Sequence, residues 1–554
     1  MSTVIAFFWL VTVPGFYWGT GILVASFWPY GKVEKAAVPL LGVVFWGWVG
    51  LLQVMSGVPR GWLYAAIAVA TVAGGLYRWP VVAKAGREWG EYVRPSYCIY
   101  LLGVVALVVS PYPGVWLIGG DWWVHFSMTL AADHGQFGVE QLTRCPFFAV
   151  ACLPLLDAGG AGWARGLAVY QFFNAMAAAA AWLPIVIKIL KTDDRGRAVR
   201  VAALLALGFS PMFSVVLQNL WPKFLAGGCL WMALTRAGKF SAEGRPAEMR
   251  AAGWWFACAV LAHESSVIYA PLVALTAWVG SAQGKLSRLS GLAWAGLIVV
   301  LLVGLWEGWT VGRFGWEARV NANPTVAFAT GQPLWEKFGA NILGVLVSIL
   351  PLDLVSTWSR PDLGSLDKYY YTVVAIISWL GATLLGLALP WLLFMRQSMG
   401  RMAAGFFQDR RHQALLAGAA IAVVAYALIL PVTPRYGAVQ GGLVPLEMGV
   451  VGIGLSRLGT ADARGVSRLL AWWVSVGWLP YVAVGTLIGC ILAFPAHFGN
   501  RAEQLRLHDG DLLAVYTEKF APLGMLPVIL LLGVGAAIAL GWKMYRLAWK
   551  LDPR

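Results

Sequence analysis

Apolar stretches of about 17 to 25 residues recur along this chain, each long enough to cross roughly 30 Å of hydrocarbon as a helix. In lipid every backbone N–H and C=O must find its partner within the protein, so such segments are confined to helices or closed barrels, and stretches of this length to helices. About fifteen segments meet the length criterion, separated by short clusters of charge. The expected fold class is therefore all-α, a polytopic transmembrane helical bundle. Composition agrees: 59% of residues are hydrophobic and 12% charged, with mean hydropathy +0.70, where an ordinary soluble domain carries about 25% charged residues. Met1 to Phe27 lacks the basic start and small-residue cleavage site of a signal peptide and reads as a retained span. No segment reads as a soluble catalytic domain.

A net charge of +15 would point to nucleic acid in a soluble protein, but here its meaning depends on which loops carry it. Lys and Arg cluster at Lys32 and Lys35, Arg78 to Arg94, Lys188 to Arg200, Arg236 to Arg250, Lys285 and Arg288, Arg396 to Arg411, Arg457 to Arg468, and Lys543 to Arg554. These clusters hold 28 of the 41 basic residues, leaving 13 elsewhere. Placing all of them in the cytoplasm allows one threading, with the N-terminus outside and the C-terminus inside. By that threading 16 of the 26 acidic residues fall on the outer side or in its membrane half. Chemistry is thus expected on the extracytoplasmic face, with no nucleic-acid partner.

Residues 1–96 hold three apolar spans with few ionisable groups and read as accessory N-terminal helices; 97–460 read as the catalytic transmembrane core, and 461–554 as C-terminal helices with an outer loop. After a span from Tyr97 comes an outer loop, Gly119 to about Arg165. Its apolar stretch Cys145 to Leu156 is too short to cross, and the loop is expected to lie along the surface as amphipathic helices. Residues Ala251 to Gly280 are too long for one untilted crossing and fit two short helices bent outside near His263 and Glu264. A second outer region runs from about Gly312 to Tyr370. The 31 tryptophans fit headgroup-level belts. The six cysteines form no CxxC pair and read mainly as small hydrophobes, with a Cys145–Cys152 disulfide as the alternative. No metal-ligand set stands out.

The first outer loop opens with Gly-Gly-Asp121-Trp-Trp-Val-His125-Phe. Asp121 and His125 are four apart and share a face if a helix begins after Gly120; Asp133 and His134 follow farther along. A carboxylate here suits removal of a proton from an acceptor hydroxyl; it equally suits a helix N-cap. Cations beside spans on the outer side are Lys223 in Leu-Trp-Pro-Lys-Phe, Arg435 in Thr-Pro-Arg-Tyr436, and Arg144. They can stabilise phosphate oxygens or simply snorkel to the interface. His263 and Glu264 either line the same site or cap the bend. Glu307 and Glu447 fall in apolar segments, where an ionisable group implies a function or a partner.

In order along the chain, Gly-Gly-Asp121-Trp-Trp-Val-His-Phe, Thr143-Arg-Cys-Pro-Phe-Phe, Phe172-Phe-Asn-Ala-Met-Ala, Gly208-Phe-Ser-Pro-Met-Phe, a hairpin ending in Thr235-Arg, and Pro434-Arg-Tyr resemble the GT-C superfamily of polyprenyl-phosphate-dependent membrane glycosyltransferases. The likeness is greatest to the protein mannosyltransferase and lipid A aminoarabinose transferase branches and covers roughly residues 97 to 460. It implies a GT-C bundle with surface-lying helices in the first outer loop and Asp121 as base, helped by His125. Outer cations near the lipid phosphate would correspond to Lys223 and Arg435, and Tyr436, Arg144, His263 and Glu264 are further substrate-binding candidates. The chain departs from that family in having Asp121-Trp122 where an acidic pair is common, and Lys223 where an acid is frequent. The resemblance implies a polyprenyl-phosphate-linked sugar as substrate and a glycan, lipid or protein acceptor; no cofactor is expected, and whether a divalent ion assists is left open by the residues. The implied location is a bacterial inner membrane. A transporter or lipid flippase, and a polymerase or ligase using pyrophosphate-linked glycans, are the competing classes.

Overall fold

A computed structural model describes residues 2–30, 33–108, 121–159, 163–191, 196–207, 222–279, 284–322, 332–347, 410–429, 443–480 and 526–551, with the isolated positions 217, 394, 400, 482–483 and 486. Among these residues the chain is helical with no β-strand. The helices are α1 (Ser2–Ser26), α2 (Val38–Ser56), α3 (Arg60–Tyr77), α4 (Trp79–Val108), α5 (Asp121–Asp133), α6 (Phe147–Val150), α7 (Leu153–Gly159), α8 (Trp163–Leu190), α9 (Arg197–Leu207) and α10 (Lys223–Glu243). They continue as α11 (Pro246–Ala262), α12 (Ala270–Trp278), α13 (Lys285–Phe314), α14 (Trp316–Ala322), α15 (Leu334–Val347), α16 (Arg410–Ile429), α17 (Val444–Ser456), α18 (Ala463–Trp473) and α19 (Leu526–Leu551).

Local chemistry sets several of these boundaries. Pro at the start of α11 accepts a position whose N–H would be unpaired anyway. Gly57 (φ 67°) and Gly244 (φ 71°) close α2 and α10 in the left-handed region, their N–H groups donating to Gln53 O (2.9 Å) and Phe240 O (2.8 Å). Four described helices are long and apolar enough to cross a membrane, Lys35–Ser56, Val169–Leu190, Lys285–Phe314 and Arg410–Ile429; α3 and α4 together add a pair bent by 86°. Many of the remaining expected spans lie outside the described residues.

The bundle is built by close approach of small residues, as apolar helices in lipid require when there is no hydrophobic driving force between them. α8 is almost wholly buried through its run Ala177–Ala181, and a Cβ on Gly228 of α10 would fall 2.7 Å from the Ala181 backbone. Gly253 of α11 meets the Ala295 backbone of α13 at 2.7 Å, and Gly418 of α16 meets that of Leu272 in α12 at 2.7 Å. α13 is otherwise largely exposed, as a lipid-facing helix is.

Two expectations are corrected. The basic stretch Arg78 to Arg94 is not a loop: Arg78 ends α3, and the rest is the first half of α4, which runs unbroken through residues 96 and 97. Its spacing is amphipathic: Trp89 and Tyr92 are buried while Lys84 and Arg87 face out, so one helix holds both the charged and the apolar parts. The apolar stretch Cys145–Leu156 forms short helices that are packed into the protein on all sides instead of being amphipathic. Cys145, Phe147 to Leu153 and Leu155 are all buried, because an all-apolar segment has no polar face to present. α6 wedges against α2, where a Cβ on Gly50 would sit 2.6 Å from Val150 Cβ, and the Tyr17 hydroxyl of α1 donates to Ala151 O at 2.7 Å. Cys145 and Cys152 are separate buried thiols, and burial pushes both thiol pKa values up, which makes them inert. Cys490 lies outside the described residues. Tryptophans divide: Trp62, Trp316 and Trp335 are strongly exposed, as a headgroup belt requires, whereas Trp182, Trp255 and Trp306 fill the core.

The two ends of the bundle differ in chemistry. One gathers the expected cytoplasmic clusters: Lys239 pairs with Glu34 (2.6 Å), Arg236 with Glu248 (2.8 Å) and Lys35 with Glu88 (3.2 Å), and Lys191 Nζ donates to the Tyr92 hydroxyl (2.6 Å). α10 leads from this end to the other, from Lys239 back to Lys223. α11 returns the same way, from Glu248 to His263.

Candidate active site at the far end of the bundle

α5 is described from Asp121 onward, and the residues before it, where the helix start was expected, lie outside the described residues. The side chain of Asp121 lies outside the described residues, as do Arg435 and Tyr436. His125, one turn on, is buried with its ring edge-on to Phe148 (6.2 Å, 87°). The Thr129 hydroxyl, 3.0 Å from both the His125 and Ala149 carbonyl oxygens, fastens α5 to α6. At the far end of α5, Asp133 pairs with Arg60 of α3, and His134 is exposed. Those two residues therefore fasten or face outward and do not join His125.

Beyond α5, Gly138 N–H donates to Gln141 Oε1 (2.8 Å) and opens a short 3-10 turn, Val139–Thr143. Arg144 follows in extended backbone, half-buried. Lys223 is the first residue of α10, directly after Pro222, and is only 6% exposed. It does not snorkel to water. His263 ends α11 in extended backbone, and a 3-10 turn, Glu264–Tyr269, leads into α12. A helix break is thus present at His263 and Glu264, and the His263 Nδ1 lies 2.6 Å from Ser265 Oγ.

His263 lies within electrostatic reach of the other segments. Burial first, then the charges of Lys223, Arg144 and His125, hold its imidazole well below the usual range, so the ring is neutral at neutral pH. The charges of three other residues singled out from sequence, each on a different chain segment, are thus felt at His263. Glu264 adjoins it through a second knot. Arg319 of α14 donates from Nη2 to Glu264 Oε1 (2.7 Å) and Glu307 Oε1 (2.9 Å), from Nε to Glu307 Oε2 (2.9 Å), and from Nη1 to Leu142 O (2.9 Å). Burial lowers the Arg319 pKa, but hydrogen bonds and charge from Glu307 and Glu264 outweigh it and raise the net value. The guanidinium ties α14, α13, the bend and the first loop together.

Arg319 was not marked as a site residue from sequence. The usable signal was Glu307 itself: a carboxylate in an apolar helix needs a cation, and Gly315 (φ 89°) turns the chain so that Arg319 comes back beside it. Glu447, at the start of α17, is completely buried, and neither carboxylate oxygen accepts a hydrogen bond. Among the described residues no group of three or more His, Cys, Asp and Glu is placed to hold a metal ion.

Charges within reach of His263 can bind an anion. Lys223 and Arg144 supply fixed positive charge, two imidazoles supply donors or acceptors, and the low dielectric strengthens each contact. Among solved structures, the chain is similar to that of ArnT from Cupriavidus metallidurans in the apo state. The TM-score is 0.42 at 15% identity, over 81% of this chain and 75% of that one. No protein-family model matches the chain, and no curated protein does.

Proposed function

We propose that this chain is a membrane glycosyltransferase of GT-C type that moves a sugar from a polyprenyl-phosphate donor to an acceptor hydroxyl or amine at the extracytoplasmic face, with inversion. What supports the reading is that the charges of Lys223, Arg144 and His125 bear on His263, and that Asp121 and His125 share one helix. The donor is a phosphodiester bearing one negative charge. As the bond from the anomeric carbon to the phosphate oxygen breaks, the electron pair stays on that oxygen and the leaving polyprenyl phosphate becomes a dianion. Lys223 and Arg144, with Arg435 and Tyr436 on the donor side, are assigned to that growing charge, where preorganised cations act most strongly. Asp121 takes the acceptor proton as the new bond forms on the opposite face of the anomeric carbon, and His125 assists. His263 and Glu264 border the substrate. The membrane holds the donor's tail, so the chain's role is to fix its phosphate at headgroup depth.

A bacterial inner membrane is the proposed location, and a glycan, lipid or protein the acceptor. The reading is tested with the protein reconstituted in vesicles and a radiolabelled polyprenyl-phosphate sugar identified from cells whose surface glycans change when the chain is deleted. Asp121→Asn is expected to abolish transfer while folding is kept. Full transfer by that variant would remove Asp121 from the mechanism.

A further inference from the structure

α1, α2 and α3 precede the first outer loop in the chain, and each of them grips it. Gly47 and Gly50, one turn apart on the same face of α2, lie directly against α6. A Cβ on Gly47 would fall 3.0 Å from Phe147 O, and one on Gly50 2.7 Å from Val150 O. The Tyr17 hydroxyl of α1, wholly buried, donates to Ala151 O at 2.7 Å, and Arg60 of α3 pairs with Asp133 at the end of α5. The end of α2 is held in turn by α13, where Trp309 Nε1 donates to Met55 O at 3.0 Å. From α6 two routes lead to His125. One is polar: Thr129 Oγ1 lies 3.0 Å from both Ala149 O and His125 O. The other is a line of rings, from Tyr17 to Phe173 (5.6 Å between centroids), Phe173 to Phe148 (5.1 Å) and Phe148 to His125 (6.2 Å). Every residue on the two routes is buried, and a close-packed interior transmits displacement.

We propose that the leading helices are a positioning element of the active site: the Tyr17 hydroxyl and the groove at Gly47 and Gly50 fix α6, and α6 sets where α5 holds His125. This rests on the reading of α5 as the helix that presents the base. Tyr17 touches no reacting group; it acts through α6 and is a positioning residue. Losing its hydroxyl takes the side-chain donor from the buried Ala151 carbonyl, which favours a displaced α6 whose carbonyl finds water or another donor. Thr129 and Phe148 then carry α5 with it. A shift of about 1 Å in a group at the reacting centre costs up to about 100-fold in rate, so a small movement of α5 is enough to register.

Tyr17→Phe removes one hydroxyl and keeps the ring. In nanodiscs its amide exchange is expected to rise about 5- to 30-fold in α5 and α6, the range of one lost buried hydrogen bond, and to stay at wild-type rates in α10 and α11. With the radiolabelled polyprenyl-phosphate sugar as donor, its kcat is expected to fall about tenfold while the donor KM holds. Thr20→Val is the control. It removes a hydrogen bond within the same helices, from Trp46 Nε1 to Thr20 Oγ1 (3.1 Å), and is expected to leave kcat and the exchange of α5 and α6 unchanged. A double variant separates positioning from general stability: Thr129→Val cuts the tie between α6 and α5, so adding Tyr17→Phe to it is expected to lower kcat by less than Tyr17→Phe does alone. A fully additive loss, wild-type kcat in Tyr17→Phe, or an equal loss in Thr20→Val would overturn the proposal. Should Tyr17→Phe not fold, Arg60→Ala decides, because its ion pair is partly exposed: faster exchange in α5 with lowered kcat supports the positioning role, and wild-type values of either overturn it. Full transfer by Asp121→Asn removes the base from α5 and the positioning role with it, whereas wild-type kcat in Tyr17→Phe beside an inactive Asp121→Asn removes the positioning role alone.

Discussion

Arg319 gives the sharpest structural prediction, because its four contacts reach three other chain segments. Replacing it by alanine removes hydrogen bonds of 2.7 to 2.9 Å to Glu264, Glu307 and Leu142 O and leaves two carboxylates facing one another with no cation between them. Charged hydrogen bonds contribute about 1.5 to 3 kcal/mol each in buried settings, and breaking a buried pair costs about 3 to 5 kcal/mol. The Glu307 side chain is 38% exposed and that of Glu264 23%, so water recovers part of the loss. The expected cost of holding α14 in place is then about 2 to 4 kcal/mol. Read as a local opening equilibrium, this is roughly a 30- to 700-fold gain in exchange. The assay is amide hydrogen exchange on the detergent-solubilised protein, following α14 and the turn before Arg144. Arg319→Lys keeps the charge but not the planar fork, and is expected to recover only part of the protection. Unchanged exchange in both segments of Arg319→Ala would refute the clasp.

Further outcomes follow from the same geometry. His263 is held neutral in the fold, so the unfolded chain binds more protons and stability falls as pH drops below the ordinary imidazole value of 6.5; His263→Gln is expected to flatten the acid side of a thermal-stability profile. Gly50→Val should drive its side chain into Val150 and cost about 1 to 3 kcal/mol or more through overpacking, read as a lower midpoint in thermal unfolding. Arg60→Ala removes a half-exposed ion pair to Asp133 and should cost about 1 kcal/mol or less in the same assay. A loss as large as that of Gly50→Val would mean that α3 carries more of the fold than its exposed surface indicates.

Much of the architecture could be read from residue order alone. The helical class follows from the length of the apolar stretches, and the helix break at His263 from a segment too long for one crossing and too short for two full ones. Lys223, Arg144, His125 and His263 were each identifiable as ionisable residues at span ends. The reach of the first three to His263 was not, because it depends on how α5, α10 and α11 pack, and that packing is set by small residues such as Gly228 and Gly253 that carry no chemical signal. The same limit hid the pairing of Glu307 with Arg319: periodicity marks a buried charge as costly, but only tertiary contact names its partner. α6 misled for the opposite reason. Its length excluded a crossing, and its uniform apolarity, which argues for burial on every side, weighed less in the reading than its place in an outer loop.

The central claim is that the patch around Lys223 and His263 holds a lipid phosphate. It is tested most directly with a polyprenyl phosphate carrying a photoreactive group beside the phosphate, added to the protein in lipid nanodiscs, with cross-links mapped by mass spectrometry. The expected result is labelling on α5, around Lys223 and at the bend after α11, competed by unlabelled polyprenyl phosphate and not by the free polyprenol. Labelling confined to other segments, or equal competition by the polyprenol, would contradict it.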